Sequence, residues 1–136
     1  MIPQHQRYDY SMIDRRPDYS WPGGKRLAFY VVNNVEHFTF GAGSGSDPAF
    51  FNPTLQTQRN YAWRDYGMRV GIWRVMDILA KYGIRATVAL NASVCEHYPM
   101  IIEEGKRRRW EFMGHGITNS KLLLNLPEDE ERKVIK

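Results

Sequence analysis

Two side chains that can move protons stand where predicted strands end. Glu36 follows a short apolar run, and His115 lies between Gly114 and Gly116 at the end of a later run. Flanking glycines let the backbone turn tightly, which leaves the imidazole free to project as a metal ligand or general base. Asn91 is a third polar residue at a strand end. Such residues also serve as helix caps and turns, so residue type alone leaves both interpretations open.

Three apolar runs predict the strands that position these side chains. They are residues 27–32, Ala86–Leu90 and residues 110–113. Short runs of this kind, rich in β-branched and aromatic side chains, are typical of buried strands. The carboxyl ends of parallel strands meet at one edge of a sheet, where chemistry is usually located. We therefore expect the three polar strand ends to share a cleft.

Helices are predicted between the strands. Residues 69–82 carry apolar side chains at i, i+3, i+4 and i+7, and Gly83 supplies a stop. Pro99 opens a helix that runs to about residue 109, and Pro127 opens another. The alternation predicts an α/β fold with right-handed parallel crossovers, as at the start of a barrel or an open sheet. A closed barrel of this kind needs about 200 residues or more, so we expect a fragment.

The remaining segments are irregular. Residues 1–24, rich in Pro, Gly, Tyr and Arg, are interpreted as an N-terminal arm that precedes the domain of residues 25–136. Residues 41–60 are rich in Gly, Ser, Asn and Pro and predict a long loop. A loop of that length is usually a lid or a binding loop, and is otherwise disordered.

The composition argues against several classes of function. Much of the net charge of +4 comes from the run 106–109, at the end of a predicted helix, where cations complement the helix dipole. No aromatic platform accompanies the run, so no nucleic-acid partner is expected. The single cysteine, Cys95, excludes an internal disulfide framework. No stretch approaches the about 18 apolar residues of a membrane span, and no signal core is visible, which predicts a cytoplasmic protein without a membrane partner.

Several segments, taken in order and spacing, resemble polysaccharide deacetylases of the NodB-homology group. The segments are RDYG (64–67), GIWR (71–74), YGIRAT (82–87) and WEFMGHG (110–116). The likeness covers roughly residue 25 to the end. It is strongest to the branch that contains peptidoglycan deacetylase-like proteins and metal-independent allantoinases. The resemblance implies the N-terminal part of a distorted (β/α) barrel, with parallel strands alternating with helices, and a hydrolase that acts on non-peptide carbon–nitrogen bonds.

The resemblance also implies a set of site residues, two of which are altered here. Metalloenzymes of the group bind zinc through an Asp after the first strand and two His spaced i, i+4 after the third, while a second Asp acts as base. Glu36 stands at the metal-binding Asp and Asn34 at the base. His115 and Asn119 stand at the two histidines. Asn34 cannot accept a proton near neutral pH, and an amide oxygen is a poorer zinc ligand than an imidazole. The expected cofactor is therefore none, or a divalent metal, such as zinc, held weakly by Glu36 and His115.

The sequence leaves three functions open. The leading hypothesis is an allantoinase-like hydrolase of amides or cyclic amides, in which Glu36 activates water and His115 moves a proton. The second is a metal-dependent N-deacetylase of a polysaccharide that uses the same pair, with His37 replacing the lost ligand or base. The third is a catalytically inactive domain that binds a small ligand or a partner.

Four further side chains are candidate substrate-binding residues: Asn34, Asn91, Asn119 and Trp63. Trp63 belongs to an aromatic group with Tyr61, Tyr66 and Trp73. Aromatic side chains near a lid can stack on a sugar or ureide ring, although at this spacing they more often pack a loop onto a helix. The expected partners are a small amide, a ureide or an N-acetylated sugar, together with a second copy of the chain in a homo-oligomer.

Overall fold

Three parallel strands form the centre of the protein, whose computed structural model describes residues 7–41, 57–121, 123 and 125–136. The strands are β1 (Val31–Val35), β2 (Ala86–Leu90) and β3 (Glu111–Gly114), in the order β1-β2-β3. The middle strand, β2, pairs along its whole length with β1 and over four residues with β3. The parallel α/β order predicted from the sequence is confirmed.

A long helical segment connects β1 to β2. It consists of α1 (Gln58–Tyr66), five residues of wider π-helical winding (Gly67–Gly71) and α2 (Ile72–Lys81). Thr57 caps its start, because the hydroxyl accepts a hydrogen bond of 3.1 Å from the Asn60 backbone N–H. The other α-helices of the described residues are α3 (Ala92–His97) and α4 (Pro99–Arg107) after β2, and α5 (Glu128–Ile135) after β3; two short 3-10 turns, Ile13–Arg15 and Pro22–Gly24, precede β1.

The hydrophobic core joins the sheet to these helices. Its buried members are Val35, Met68, Ile72, Met76, Leu79, Ala86, Val88, Val94, Ile101 and Trp110. Strand β2 contributes its buried side chains from the middle of the sheet, whereas all four residues of β3 are exposed. None of the helices within the described ranges is both long enough and apolar enough to span a bilayer.

The basic run at the end of α4 is engaged in local ion pairs. Arg107 and Arg108 both donate to the Glu104 carboxylate, and Arg108 also binds Asp77 and the Met76 carbonyl. Hydrogen bonds from Arg107 and then Arg108 lower the pKa of Glu104 to about 2. These contacts support the structural interpretation of the run.

The predicted position of the first strand was wrong by several residues. The prediction was 27–32, but β1 is Val31–Val35, and Leu27, Phe29 and Tyr30 are exposed. Ladder pairing with Ala86–Leu90 begins only at Val31. An apolar run shows that a strand is near, but it does not show where the neighbouring strand begins to pair.

The helical predictions were confirmed in part. The predicted helix 69–82 includes α2 but starts eleven residues earlier, at Gln58, because Thr57 caps a polar turn that has no apolar periodicity. The predicted loop 41–60 is therefore wrong at 58–60, and its residues 42–56 lie outside the described ranges. Helix α3 was missed altogether. Its six residues are too few to display a helical period.

Replacement of Met76 by alanine should lower the free energy of unfolding by about 2–5 kcal/mol, because it leaves a cavity in the core. Met76 is 1% exposed, whereas Ile78 on the same helix is 57% exposed. The matched variant Ile78→Ala should change stability by no more than about 0.5 kcal/mol. Urea denaturation measures both. Equal losses would show that the buried face of α2 is wrongly assigned.

Candidate functional site

The register of the sheet places three strand ends side by side. Leu90, the last residue of β2, pairs with the last residue of β1 on one side and of β3 on the other. The next residues along the three chains are Glu36, Asn91 and His115. All three therefore leave the sheet at the same edge, as expected for the carboxyl ends of parallel strands.

Glu36 and His115 are in direct contact. His115 Nε2 lies 3.2 Å from Glu36 Oε1, and the Asn34 side-chain amide donates a longer bond of 3.4 Å to the same oxygen. The Glu36 side chain is 26% exposed and that of His115 is 39% exposed. The pair is thus accessible to a small molecule. A carboxylate in this position can orient the imidazole through a hydrogen bond.

Cavities open on both sides of this pair. One of about 350 Å³ lies between β1 and the π-helical turn, and Asn34, Glu36 and Arg64 line it. Another of about 380 Å³ is lined by His115 and Lys121, among others. Glu36 thus faces the first cavity and His115 the second, and each is large enough for a small organic molecule.

Arg64 brings a positive charge close to Glu36. Its guanidinium stacks on the Phe38 ring at 3.7 Å from the centroid. Burial lowers the pKa of Arg64, and the negative charge of Glu36 acts in the opposite direction. Arg64 belongs to the RDYG segment, but its role could not be predicted from the sequence, because no spacing rule connects a helical arginine to a strand end.

Asn91 is fully buried and lies behind the pair. Its side-chain oxygen accepts the backbone N–H of His37 at 2.9 Å. Its amide nitrogen donates to the His115 carbonyl and, at 3.1 Å, to Asn119 Oδ1. These contacts occupy the hydrogen-bonding groups of the amide, which favours a positioning role over the substrate contact predicted for Asn91.

Asn119, at the position of the motif's second histidine, is also fixed by hydrogen bonds to neighbouring residues of the chain. Its backbone N–H donates to the His37 carbonyl at 3.0 Å, while its side-chain oxygen accepts from Asn91. That oxygen is therefore engaged away from the Glu36–His115 contact. Within the described residues, no three His, Cys, Asp or Glu side chains are grouped as metal ligands. The donor set of this motif does not fit a tetrahedral zinc site, which needs three protein ligands and an open position.

His37 turns towards α3 rather than towards Glu36. Its Nδ1 lies 3.0 Å from Ser93 Oγ, and its ring packs on His97 at 4.5 Å and on Tyr98 at 5.7 Å between centroids. Burial lowers the pKa of His37, His97 lowers it further, and the charge of Asp65 acts in the opposite direction. The structure thus separates this predicted catalytic residue from the contact between the other two.

The predicted aromatic group does not form one cluster. Trp73 packs against the core, Tyr61 packs on Phe40 at 4.9 Å, and Tyr66 accepts a hydrogen bond from Arg74. Trp63 is 66% exposed on α1. The packing interpretation fits Tyr61 and Trp73, whereas Trp63 and Tyr66, which is 48% exposed, keep part of their surface open to a ligand.

Two hydroxyl groups at the site were missed by the sequence analysis. Ser93 Oγ donates to the Ile117 carbonyl, and Thr118 Oγ1 donates to the His37 carbonyl, each at 2.7 Å. They tie the loops after the strands to one another. Their only signal in the sequence is closeness to Asn91 and His115, which single residues of this type do not make specific.

Two solved structures share this fold. One, described as a polysaccharide deacetylase from Mycobacterium smegmatis, is 28% identical with a TM-score of 0.65, over 86% of this chain and 38% of its own. The other, Puue allantoinase, is 21% identical with a TM-score of 0.75, over 94% of this chain and 47% of its own. The chain thus spans less than half the length of either protein. The likeness confirms the predicted architecture, in which these strands and helices form part of a (β/α) barrel.

Comparison at the level of sequence gives the family. Among curated proteins, none matches the chain. The family model described as polysaccharide deacetylase matches residues 58–136, which is more than half of the chain. The match begins with the first residue of α1 and ends one residue after α5. That range includes the whole of β2 and β3 and the histidine at the end of β3. The chain belongs to the polysaccharide deacetylase family.

Proposed function

We propose that this chain contributes the Glu36–His115 pair to the active site of a hydrolase that cleaves non-peptide carbon–nitrogen bonds. The observation that carries the proposal is the 3.2 Å contact between Glu36 Oε1 and His115 Nε2. Both groups are partly exposed and lie at the carboxyl edge of a parallel sheet, beside cavities. Membership of the polysaccharide deacetylase family supports the same class of reaction.

The pair supplies both proton transfers that amide hydrolysis needs. Glu36 takes a proton from water, whose oxygen adds to the carbonyl carbon of the substrate. Protonated His115 gives a proton to the departing nitrogen as the C–N bond breaks. The proton on Glu36 then returns to His115 across their contact, which restores the starting state. General acid and base groups of this kind each contribute about 10²–10⁴-fold to the rate.

Glu36 acts as the general base because this chain lacks the Asp that is the base in the motif. Asn34 occupies that position, and a neutral amide accepts no proton near neutral pH. Its amide group instead donates towards Glu36 Oε1 at 3.4 Å, which helps to orient the carboxylate. The preferred substrate class is a small amide, ureide or cyclic amide, in line with the fold shared with an allantoinase.

A metal-dependent N-deacetylase acting on a sugar polymer is the second candidate. The family model and the neighbour from Mycobacterium smegmatis favour it. The donor set argues against it, because Glu36 and His115 lack a third ligand among the described residues and Asn119 Oδ1 accepts from Asn91. No step of the proposed hydrolysis therefore depends on a metal.

Turnover of allantoin, related ureides and N-acetylated sugars by the full-length protein tests the proposal. Substitution Glu36→Gln removes the base while keeping its shape, so kcat should fall by about 10²-fold or more. Glu103 is an exposed carboxylate on α4, and Glu103→Gln serves as the control with unchanged kcat. A Glu36→Gln variant that turns over substrate at the wild-type rate would remove Glu36 from the mechanism. Binding without turnover in the wild type would support the inactive ligand-binding domain instead.

Treatment of the full-length protein with a chelator should leave its turnover unchanged, because the donor set holds no zinc tightly. Metal analysis of the purified protein should find zinc well below one equivalent. Stoichiometric zinc, together with turnover that the chelator abolishes and zinc restores, would select the deacetylase candidate.

The lowered pKa of His37 links the stability of the fold to pH. The unfolded chain protonates His37 near the ordinary value of about 6.5, whereas the folded protein does so at lower pH. His37 thus contributes stability above about pH 6.5 that is lost as the pH falls through the interval between the two pKa values. NMR titration should show its midpoint rise in His97→Gln and fall further in Asp65→Asn. A shift in the same direction in both variants would contradict the assigned causes.

A further inference from the structure

The Asn91 side chain occupies a particular place between the two proposed catalytic groups. It follows the central strand β2 and has no exposed surface. On one side it touches the backbone of His37, the residue next to Glu36. On the other side it touches the backbone of His115 itself. Through one amide, therefore, the loop after β1 and the loop after β3 are joined across β2.

The chemistry of these contacts requires an amide. The oxygen of Asn91 accepts from the His37 N–H, while the nitrogen donates to two oxygens, the His115 carbonyl and Asn119 Oδ1. A carboxylate of the same shape would keep the acceptor but would turn an oxygen towards two other oxygens. An apolar side chain would take away the hydrogen-bond partner of three polar groups at once, namely the His37 N–H, the His115 carbonyl and Asn119 Oδ1.

Other contacts align the same loops without reaching both members of the pair. Thr118 and the Asn119 backbone hold the His37 carbonyl, and Ser93 holds the Ile117 carbonyl. These bonds restrict the loops as a whole. Among the described residues, Asn91 is the side chain that bonds both to the backbone beside Glu36 and to the backbone of His115.

We infer that Asn91 is a positioning residue that sets the distance between the Glu36 carboxylate and the His115 imidazole. The expected effect on catalysis rests on the proposed function. The expected effect on the distance between the two side chains does not depend on it. A displacement of about 1 Å in a reacting group can cost about 10²-fold in rate. Loss of the Asn91 amide should therefore lower kcat much more than it changes KM, because Asn91 has no surface on which to bind substrate.

Three variants of the full-length protein separate positioning from general stability. Asn91→Asp keeps the shape of the side chain but replaces the donating nitrogen with an oxygen. Asn91→Ser removes the amide nitrogen, which donates both hydrogen bonds, without introducing a charge. Val94 is equally buried, lies three residues away and packs in the core, so Val94→Ala is the matched control. It should lower the unfolding midpoint while leaving the Glu36–His115 contact in place.

The contact is measured directly by the nuclear Overhauser effect between the His115 ring protons and the Glu36 side-chain protons. We expect it in the wild type and in Val94→Ala, and expect it to be lost or weakened in Asn91→Ser and Asn91→Asp. If both Asn91 variants keep it at wild-type intensity, the inference is overturned. This measurement needs no substrate, so it gives a result even if the proposed hydrolase activity is absent.

Kinetics provide the second measurement where the protein is active. Asn91→Ser should lower kcat by about 10–10²-fold with little change in KM. Combined with Glu36→Gln, it should add little further loss, because both changes disable the same pair. Additive losses in the double variant would overturn the inference while leaving the proposed role of Glu36 unaffected.

Discussion

Pairing of the central strand with both of its neighbours is the constraint on which the rest of the structure depends. Leu90 is level with the last residue of β1 and the last residue of β3. One residue further along each chain, the three side chains differ in chemistry, being a carboxylate, a buried amide and an imidazole. A slip of one residue in either pairing would turn the following side chain to the other face of the sheet. The contact between Glu36 and His115 therefore depends on hydrogen bonds made several residues away.

Hydrogen bonds from Asn91 and Thr118, which are buried and half-buried, hold the loops beyond the strands. Asn119 stands at the position of the motif's second histidine, and its side-chain oxygen accepts a hydrogen bond from Asn91. Asn34 stands at the position of the motif's base, and its side-chain amide donates to Glu36. Of the two residues that depart from the metalloenzyme pattern, Asn119 thus bonds to a buried side chain, whereas Asn34 makes an exposed contact with Glu36. His37, packed on His97 and bonded to Ser93, extends these contacts towards α3.

The sequence predicted the order of the elements well and their limits less well. Strand β2 was predicted with its correct bounds, because a strand buried in the middle of a sheet shows its full length as an apolar run. The start of β1 depends on where a partner strand begins, which the sequence does not reveal locally. The proximity of Glu36 and His115 followed from topology. The orientation of His37, the burial of Asn91 and the position of Arg64 depend on contacts between residues far apart in the chain, which no local pattern encodes.

The π-helical turn Gly67–Gly71 couples two halves of one helix that have different neighbours. Before it, Arg64 stacks on Phe38 and Asp65 accepts from Tyr98; after it, α2 packs into the core. Each residue of a helix turns the following ones by about 100°. Deletion or insertion of a single residue here would leave one half in place and rotate the other away from its partners. The length of this segment should thus be more strictly maintained among related proteins than the identity of its side chains.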